Sequence, residues 1–182
     1  MSIHIAMLRG INVGGHNRIK MEQLRESLAS LGLRQVATYI QSGNIVFESG
    51  KINASNLAGK ISEKILKDFK ISPLTITRSA EEMAAIVTAN PFLRDSRLDP
   101  SKLHVYFLSG PPTAAVAREL QLLAAKPDLS QLAGREIYLY FPNGVSGSSV
   151  WNSPIERRLL KHATMRNWKT VTTLHEMAQA LG

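Results

Sequence analysis

The sequence predicts an α+β chain made of two tandem ferredoxin-like units, each followed by a helix, and three observations lead there. Short apolar runs alternate with stripes of apolar residues at helical spacing. The order β-α-β-β-α-β-α occurs at 1–89 and again at 102–182, on either side of a proline-containing break at 90–101. The first six elements of that order define the ferredoxin-like motif, a four-stranded antiparallel sheet backed by two helices. Two such units would give each sheet something to pack against. The halves share element order and little residue identity.

In the first unit, Ile3-His4-Ile5-Ala6-Met7-Leu8 reads as a buried strand. Met21, Leu24, Leu28 and Leu31 recur at helical spacing, and Gly32 is placed to end that helix. Val36, Thr38 and Ile40 alternate with Ala37, Tyr39 and Gln41. Ser42-Gly43-Asn44 turns the chain into Ile45-Val46-Phe47, giving a hairpin. Leu57, Ile61, Ile65 and Phe69 stripe a second helix, and Leu74 and Ile76 mark a fourth strand. Ser79 with Glu82 forms a capping box that opens a short helix carrying Met83, Ile86 and Val87.

The pattern resumes with a strand through Leu103, Val105 and Phe107, with His104 and Tyr106 on its other face. Val116, Leu120 and Leu123 predict a helix after Pro111-Pro112. Strands at 129–132 and 137–141 bracket Gly134-Arg135, a two-residue turn. Ser153-Pro154-Ile155-Glu156 combines a cap, a first-turn proline and a glutamate three residues on. A short extended piece at 163–166 follows, and Thr173 with Glu176 predicts the start of the last helix.

Composition narrows the chemistry. There is no cysteine, hence no disulfide framework, thiolate nucleophile or sulfur-based zinc site. No apolar run reaches the length of a membrane span, and the first run is too short for a signal peptide. A cytoplasmic protein with no membrane partner is expected. The net charge of +8 is uneven: the excess is +3 over 1–20, +1 over 21–100, +1 over 101–150 and +3 over 151–182. Basic proteins of this kind often meet phosphates, although a solvated basic surface has the same composition.

The most informative stretch is 9–20, which carries Arg9, Gly10, Asn12, Gly14, Gly15, His16, Asn17, Arg18 and Lys20 and no acid before Glu22. Glycines permit positive φ and let backbone N–H groups converge on an oxyanion, and an arginine at a strand end can grip a phosphate or carboxylate in two places. The spacing fits neither the Walker loop nor the dinucleotide fingerprint, so neither ATP nor NAD follows and no cofactor is expected. A plain tight turn is the competing reading.

Ser42 and Asn44 could add hydrogen bonds from the hairpin tip, though Ser, Gly and Asn are also what a turn requires. A nucleophilic Ser42 needs a base, and only folding could bring His16 or His104 to it. The hydroxyl-rich run 143–149 before the Ser153 helix is another possible anion seat or a connector. Arg166-Asn167-Trp168-Lys169 suits base stacking with a phosphate contact, or places Trp168 in the core under Arg166. The histidines at 4, 16, 104, 162 and 175 show no metal-ligand spacing, so no metal is expected.

Leu8-Arg9-Gly10-Ile11-Asn12-Val13-Gly14-Gly15, Thr38-Tyr39-Ile40-Gln41-Ser42-Gly43-Asn44-Ile45-Val46-Phe47, Asn90-Pro91-Phe92, Leu103-His104-Val105, Pro111-Pro112, Ile137-Tyr138-Leu139 and Thr164-Met165-Arg166-Asn167-Trp168 form a pattern across nearly the whole chain. Together these segments resemble a bacterial family catalogued as a domain of unknown function 1697. The resemblance implies an α+β bacterial cytoplasmic protein and supplies no catalytic residue. The residues themselves point to a module that binds an anionic, phosphate-bearing small molecule at 9–20, with Ser42, Asn44 and Arg166 as further contacts. The alternatives are a metal-free transferase or hydrolase using His16 or Ser42 with Arg9, and a nucleic-acid-binding or protein-interaction module.

Overall fold

The computed structural model describes residues 2–50, 52–121, 123–151, 153–159 and 161–182. They form a mixed α+β fold in two compact units, one running to Ala85 and joined by Thr173–Gly182, the other Ile86–Thr172. Among the described residues there are two four-stranded antiparallel sheets and six α-helices.

The first unit contains β1 (Ile3–Leu8), α1 (Met21–Ser30), β2 (Arg34–Tyr39), β3 (Asn44–Glu48), α2 (Leu57–Phe69), β4 (Thr75–Ser79) and the start of α3 (Ala80–Thr88). Its sheet order is β2-β3-β1-β4. Alternation along the central strands sends Ala6, Leu8, Ile45 and Phe47 into one core with Leu24 and Leu28 of α1 and Leu57, Ile61 and Ile65 of α2. Each fully buried Leu or Ile there contributes roughly 1.5–3 kcal/mol of transfer free energy. The other face carries Ile5, Met7 and Val46, which are buried as well. Gly32, at φ +95°, follows α1 where the pattern expects a stop.

The second unit contains β5 (Leu103–Leu108), α4 (Ala114–Leu120), β6 (Leu129–Ala133), β7 (Glu136–Tyr140), α5 (Pro154–Leu159), β8 (Ala163–Asn167) and the start of α6 (Trp168–Leu181). The sheet order, β6-β7-β5-β8, is that of the first unit. Tyr106, Leu108, Leu120, Ile137, Leu139 and Leu159 belong to its core.

The register exposes a correspondence that element order alone does not. Ile5 pairs with Arg78 in the first sheet, and Val105 pairs with Arg166 in the second. The residue before each, His4 and His104, is opposite Ser79 and Asn167, which cap the helices that follow. Both units therefore bring an arginine to the same register position on an edge strand, β4 or β8.

Some local expectations change. The last helix begins at Trp168, because Asn167 accepts from the Thr170 N–H at 2.8 Å; Thr173 lies inside it. Ser153 caps α5 through the Glu156 N–H at 3.0 Å, but its own N–H goes to the Val150 carbonyl. The Glu156 carboxylate is buried and accepts from the Tyr106 hydroxyl at 2.5 Å. Val116 is exposed on α4, and the break at 90–101 contains two 3-10 turns capped by Asn90 and Asp99.

Candidate functional site

β1 ends where the Leu8 N–H meets the Gly43 carbonyl at 2.8 Å and the Arg9 N–H meets the Leu74 carbonyl at 2.9 Å. From there loop 9–20 is anchored by two apolar residues near its ends, Ile11 and Ile19, both buried in the core of the unit. The backbone takes positive φ at Gly10, just before the first anchor, and at Asn12, Gly14, Gly15 and Asn17 between the two. Only glycine and asparagine adopt that region readily, which explains why those residue types recur here.

Two asparagines hold the loop in shape. Asn12 Nδ2 donates to the Ile19 carbonyl at 2.9 Å and to the Gln41 carbonyl at 2.7 Å, while its Oδ1 accepts from the Ile19 N–H at 2.8 Å. Asn17 Nδ2 donates to the Gly10 carbonyl at 2.9 Å, and its own carbonyl accepts from the Asn12 N–H at 3.1 Å. At the tip the His16 N–H closes on the Val13 carbonyl at 3.0 Å. The Nδ2 groups of Asn12 and Asn17 are thus spent on backbone carbonyls of the loop and of the neighbouring turn, and these residues shape the site.

What the loop presents outward is basic. His16, Arg18 and Lys20 are exposed and Arg9 is half-buried at the strand end, with no carboxylate before Glu22 in the first turn of α1. A Cβ placed on Gly15 would lie 3.7 Å from Arg18 Nη2, so that guanidinium folds over the glycine tip. Gly14 and Gly15 are exposed there.

The β2–β3 turn sits against this loop through the Asn12–Gln41 and Leu8–Gly43 bonds. Asn44 is 0% exposed, and its Nδ2 donates to Ser42 Oγ at 3.0 Å and to the Tyr39 carbonyl at 3.3 Å. It fixes the turn and aims Ser42. The same turn holds Ile40 at φ +48°, a costly conformation for a β-branched residue, with its side chain 52% exposed. Val13, on the neighbouring loop, is 60% exposed.

Of the residues expected at the site, all but Arg166 therefore lie in the first unit, on one loop and one adjoining turn. Arg166 lies in the second unit on β8. Its Nη1 donates to Thr164 Oγ1 at 2.9 Å and to the Met165 carbonyl at 2.8 Å, and burial pulls its pKa down to about 10. Trp168 beside it is buried, as a core anchor would be. His104 faces the Lys102 carbonyl through Nδ1 at 3.1 Å and tilts against Phe141, and burial lowers its pKa. In the 143–149 run, Ser149 is taken up by the buried carboxylate of Asp128, through its N–H at 2.6 Å and its hydroxyl at 2.8 Å.

One feature of the second unit has no motif in the sequence. At the end of β5 a cleft of about 480 Å3 opens between α4 and α5. Leu108, Val116, Leu120, Ile155 and Leu159 line it, with Ser109, Gly110, Lys161 and His162 among its other walls. The sequence reads Val116 and Leu120 as part of a helix stripe, and only the apposition of two short helices turns them into a concave surface.

Among the described residues no helix is long and apolar enough to cross a membrane, and no three His, Asp or Glu side chains converge to hold a metal ion. A solved structure of the conserved bacterial protein SP0830 from Streptococcus pneumoniae is similar over nearly the whole chain. It shares 26% identity and a TM-score of 0.79, covering 97% of this chain and 98% of that one. None of the curated proteins matches. The family described as Protein of unknown function (DUF1697) matches residues 1–138, most of both sheets, and the chain belongs to that family.

Proposed function

We propose that loop 9–20, with the turn at 41–44, binds an anionic, phosphate-bearing small molecule. The observation that carries this reading is a loop locked by its own asparagines that exposes His16, Arg18 and Lys20, with Arg9 half-buried where the loop begins and no acid among them. A loop already fixed in shape loses little conformational entropy on binding, so its cations and exposed glycine backbone act as a preorganised anion seat. Arg9, Gly10, Gly14, Gly15, His16 and Ser42 are the proposed contacts, while Asn12, Asn17 and Asn44 hold them in place. Arg166, committed to Thr164 and the Met165 carbonyl, is left out.

The reading places the site on a cytoplasmic protein of two tandem ferredoxin-like units, 1–89 and 102–182, joined by 90–101. The strand order of each sheet, with the first and third strands central, supports that assignment. A second reading, a protein-interaction surface, is favoured by the two exposed apolar side chains Val13 and Ile40 beside the same loop.

A thermal-shift screen separates them. Inorganic phosphate, mononucleotides, sugar phosphates and short RNA are tested against wild type and Arg9→Ala. A ligand that binds the native state at about 100 times its Kd stabilises it by roughly 2.7 kcal/mol, or about 5–10 °C in Tm for a chain this size. The expected result is such a shift with one phosphate class, lost in Arg9→Ala. A folded wild type that responds to none of them rejects the anion reading and leaves the interaction surface.

A further inference from the structure

The two units differ at the end of their first strand. In the first, β1 runs into loop 9–20, which returns Ile11 and Ile19 to the core beside α1 and α2. In the second, β5 runs into 109–113, a serine, a glycine, two prolines and a threonine, and α4 follows at once. That short connection brings no comparable apolar plug. The end of the second sheet stays open as the cleft between α4 and α5.

We propose that this cleft is a binding site for a small amphipathic anion, an aliphatic body carrying a carboxylate. Its size is that of small-molecule sites in general, a few hundred cubic ångströms. The walls that would hold the body are aliphatic: Leu108, Leu120, Leu159, Ile155 and Val116. No Phe, Tyr or Trp ring lines the cleft among the described residues, so the His162 imidazole is the one ring there on which a nucleobase could stack, and the walls are otherwise aliphatic.

The charge at the rim is also defined. Glu119 on α4 is paired with Arg158 on α5, so the cleft's carboxylate is already neutralised across its mouth. Lys161 supplies the positive surplus. His162 next to it is tied to the end of β5 by its carbonyl, which accepts from the Ser109 N–H at 2.8 Å, so this cationic edge has a fixed place beside the apolar walls. An aliphatic carboxylate matches both features. This site lies within the second unit and is independent of the reading of loop 9–20.

The test is a titration of the 15N-labelled full chain with octanoate, 1-octanol and octylammonium, followed by amide chemical shifts. Octanoate is expected to saturate, with shifts confined to residues 108–120 and 155–162. Loss of the charge attraction weakens octanol by roughly two- to fivefold, and Lys161→Ala weakens octanoate by a similar factor while leaving octanol alone. A Cβ on Gly110 would meet nothing within 4 Å, so Gly110→Phe has room for its side chain beside the cleft and should abolish binding. Val116→Glu, on an exposed position of α4, puts a like charge on the wall and should do the same without touching the loop. Unsaturated shifts spread over the surface, or octanoate binding retained in both blocking variants, would overturn the site. Equal affinity for octanoate and octylammonium would overturn its anionic character.

Discussion

Gly43 shows how a single side chain constrains the candidate site. It sits at φ +71° in the β2–β3 turn, and a Cβ there would lie 2.7 Å from Leu8 Cβ at the end of β1. The turn can approach β1 closely enough to bond Leu8 N–H only because that atom is missing. Gly43→Ala therefore meets two penalties: about 1–2 kcal/mol for a left-handed alanine and about 1–3 kcal/mol for the clash in a packed core. A loss of roughly 3 kcal/mol in chemical denaturation is expected, with the Ser42 and Asn44 amides shifted in NMR spectra. A loss below about 0.5 kcal/mol, the size of an ordinary surface substitution, would mean the contact is not tight. At this scale the sequence was a partial guide. Ser-Gly-Asn announced a turn, but the reason for the glycine lies in Leu8, which is far away along the chain.

At the scale of elements, the strands and amphipathic helices were legible because their signals are local. The stripe Leu57, Ile61, Ile65 became the buried face of α2, and the Ser79–Glu82 box has both reciprocal bonds, at 2.8 and 3.1 Å. The start of α6 was misplaced because two capping signals compete within six residues. Asn167 directly follows β8 and wins, leaving Thr173 within the helix. Loop 9–20 was legible as basic and glycine-rich, but the work of its asparagines was not, since their partners Ile19, Gln41 and Gly10 are set by tertiary geometry. Asn12→Ala tests this. Three side-chain hydrogen bonds disappear, at about 0.5–1.5 kcal/mol each, and an alanine is left in a left-handed conformation. A loss of roughly 2–3 kcal/mol is expected, with faster amide exchange from 10 to 19. If the loop is the anion seat, phosphate affinity falls as well, although Asn12 touches no ligand. Unchanged exchange in the loop would show that the staple is dispensable.

For the whole molecule, the repeated strand position occupied by His4 and His104 couples both units to pH. His4 is buried against Phe47, with ring centroids 6.1 Å apart, and burial holds its pKa below the usual histidine value in spite of Glu81 and Glu82 nearby. His104 is lowered for the same reason, partly offset by the Lys102 carbonyl. Both are neutral in the native state where the unfolded chain would already take up a proton. Their contribution to stability is complete above the unfolded pKa of about 6.5 and is lost as pH falls from there toward the lowered native values. While both resist protonation, the unfolded state gains up to two protons, and the slope reaches at most about 1.4 kcal/mol per pH unit for each. The carboxylates act in a separate window. Asp95, held at about 2 by Arg97, and Asp68, lowered by Ser27 and Lys64, favour the native state above the ordinary carboxylate range and lose that contribution only at more acid pH. Denaturant midpoints measured at pH 7.5, 6.0 and 5.0 should therefore decline well before carboxylates protonate. In the double variant His4→Leu, His104→Leu the curve between 7.5 and 5.0 should flatten. An equally steep decline in that variant would assign the acid sensitivity elsewhere and remove the shared histidine position as its cause.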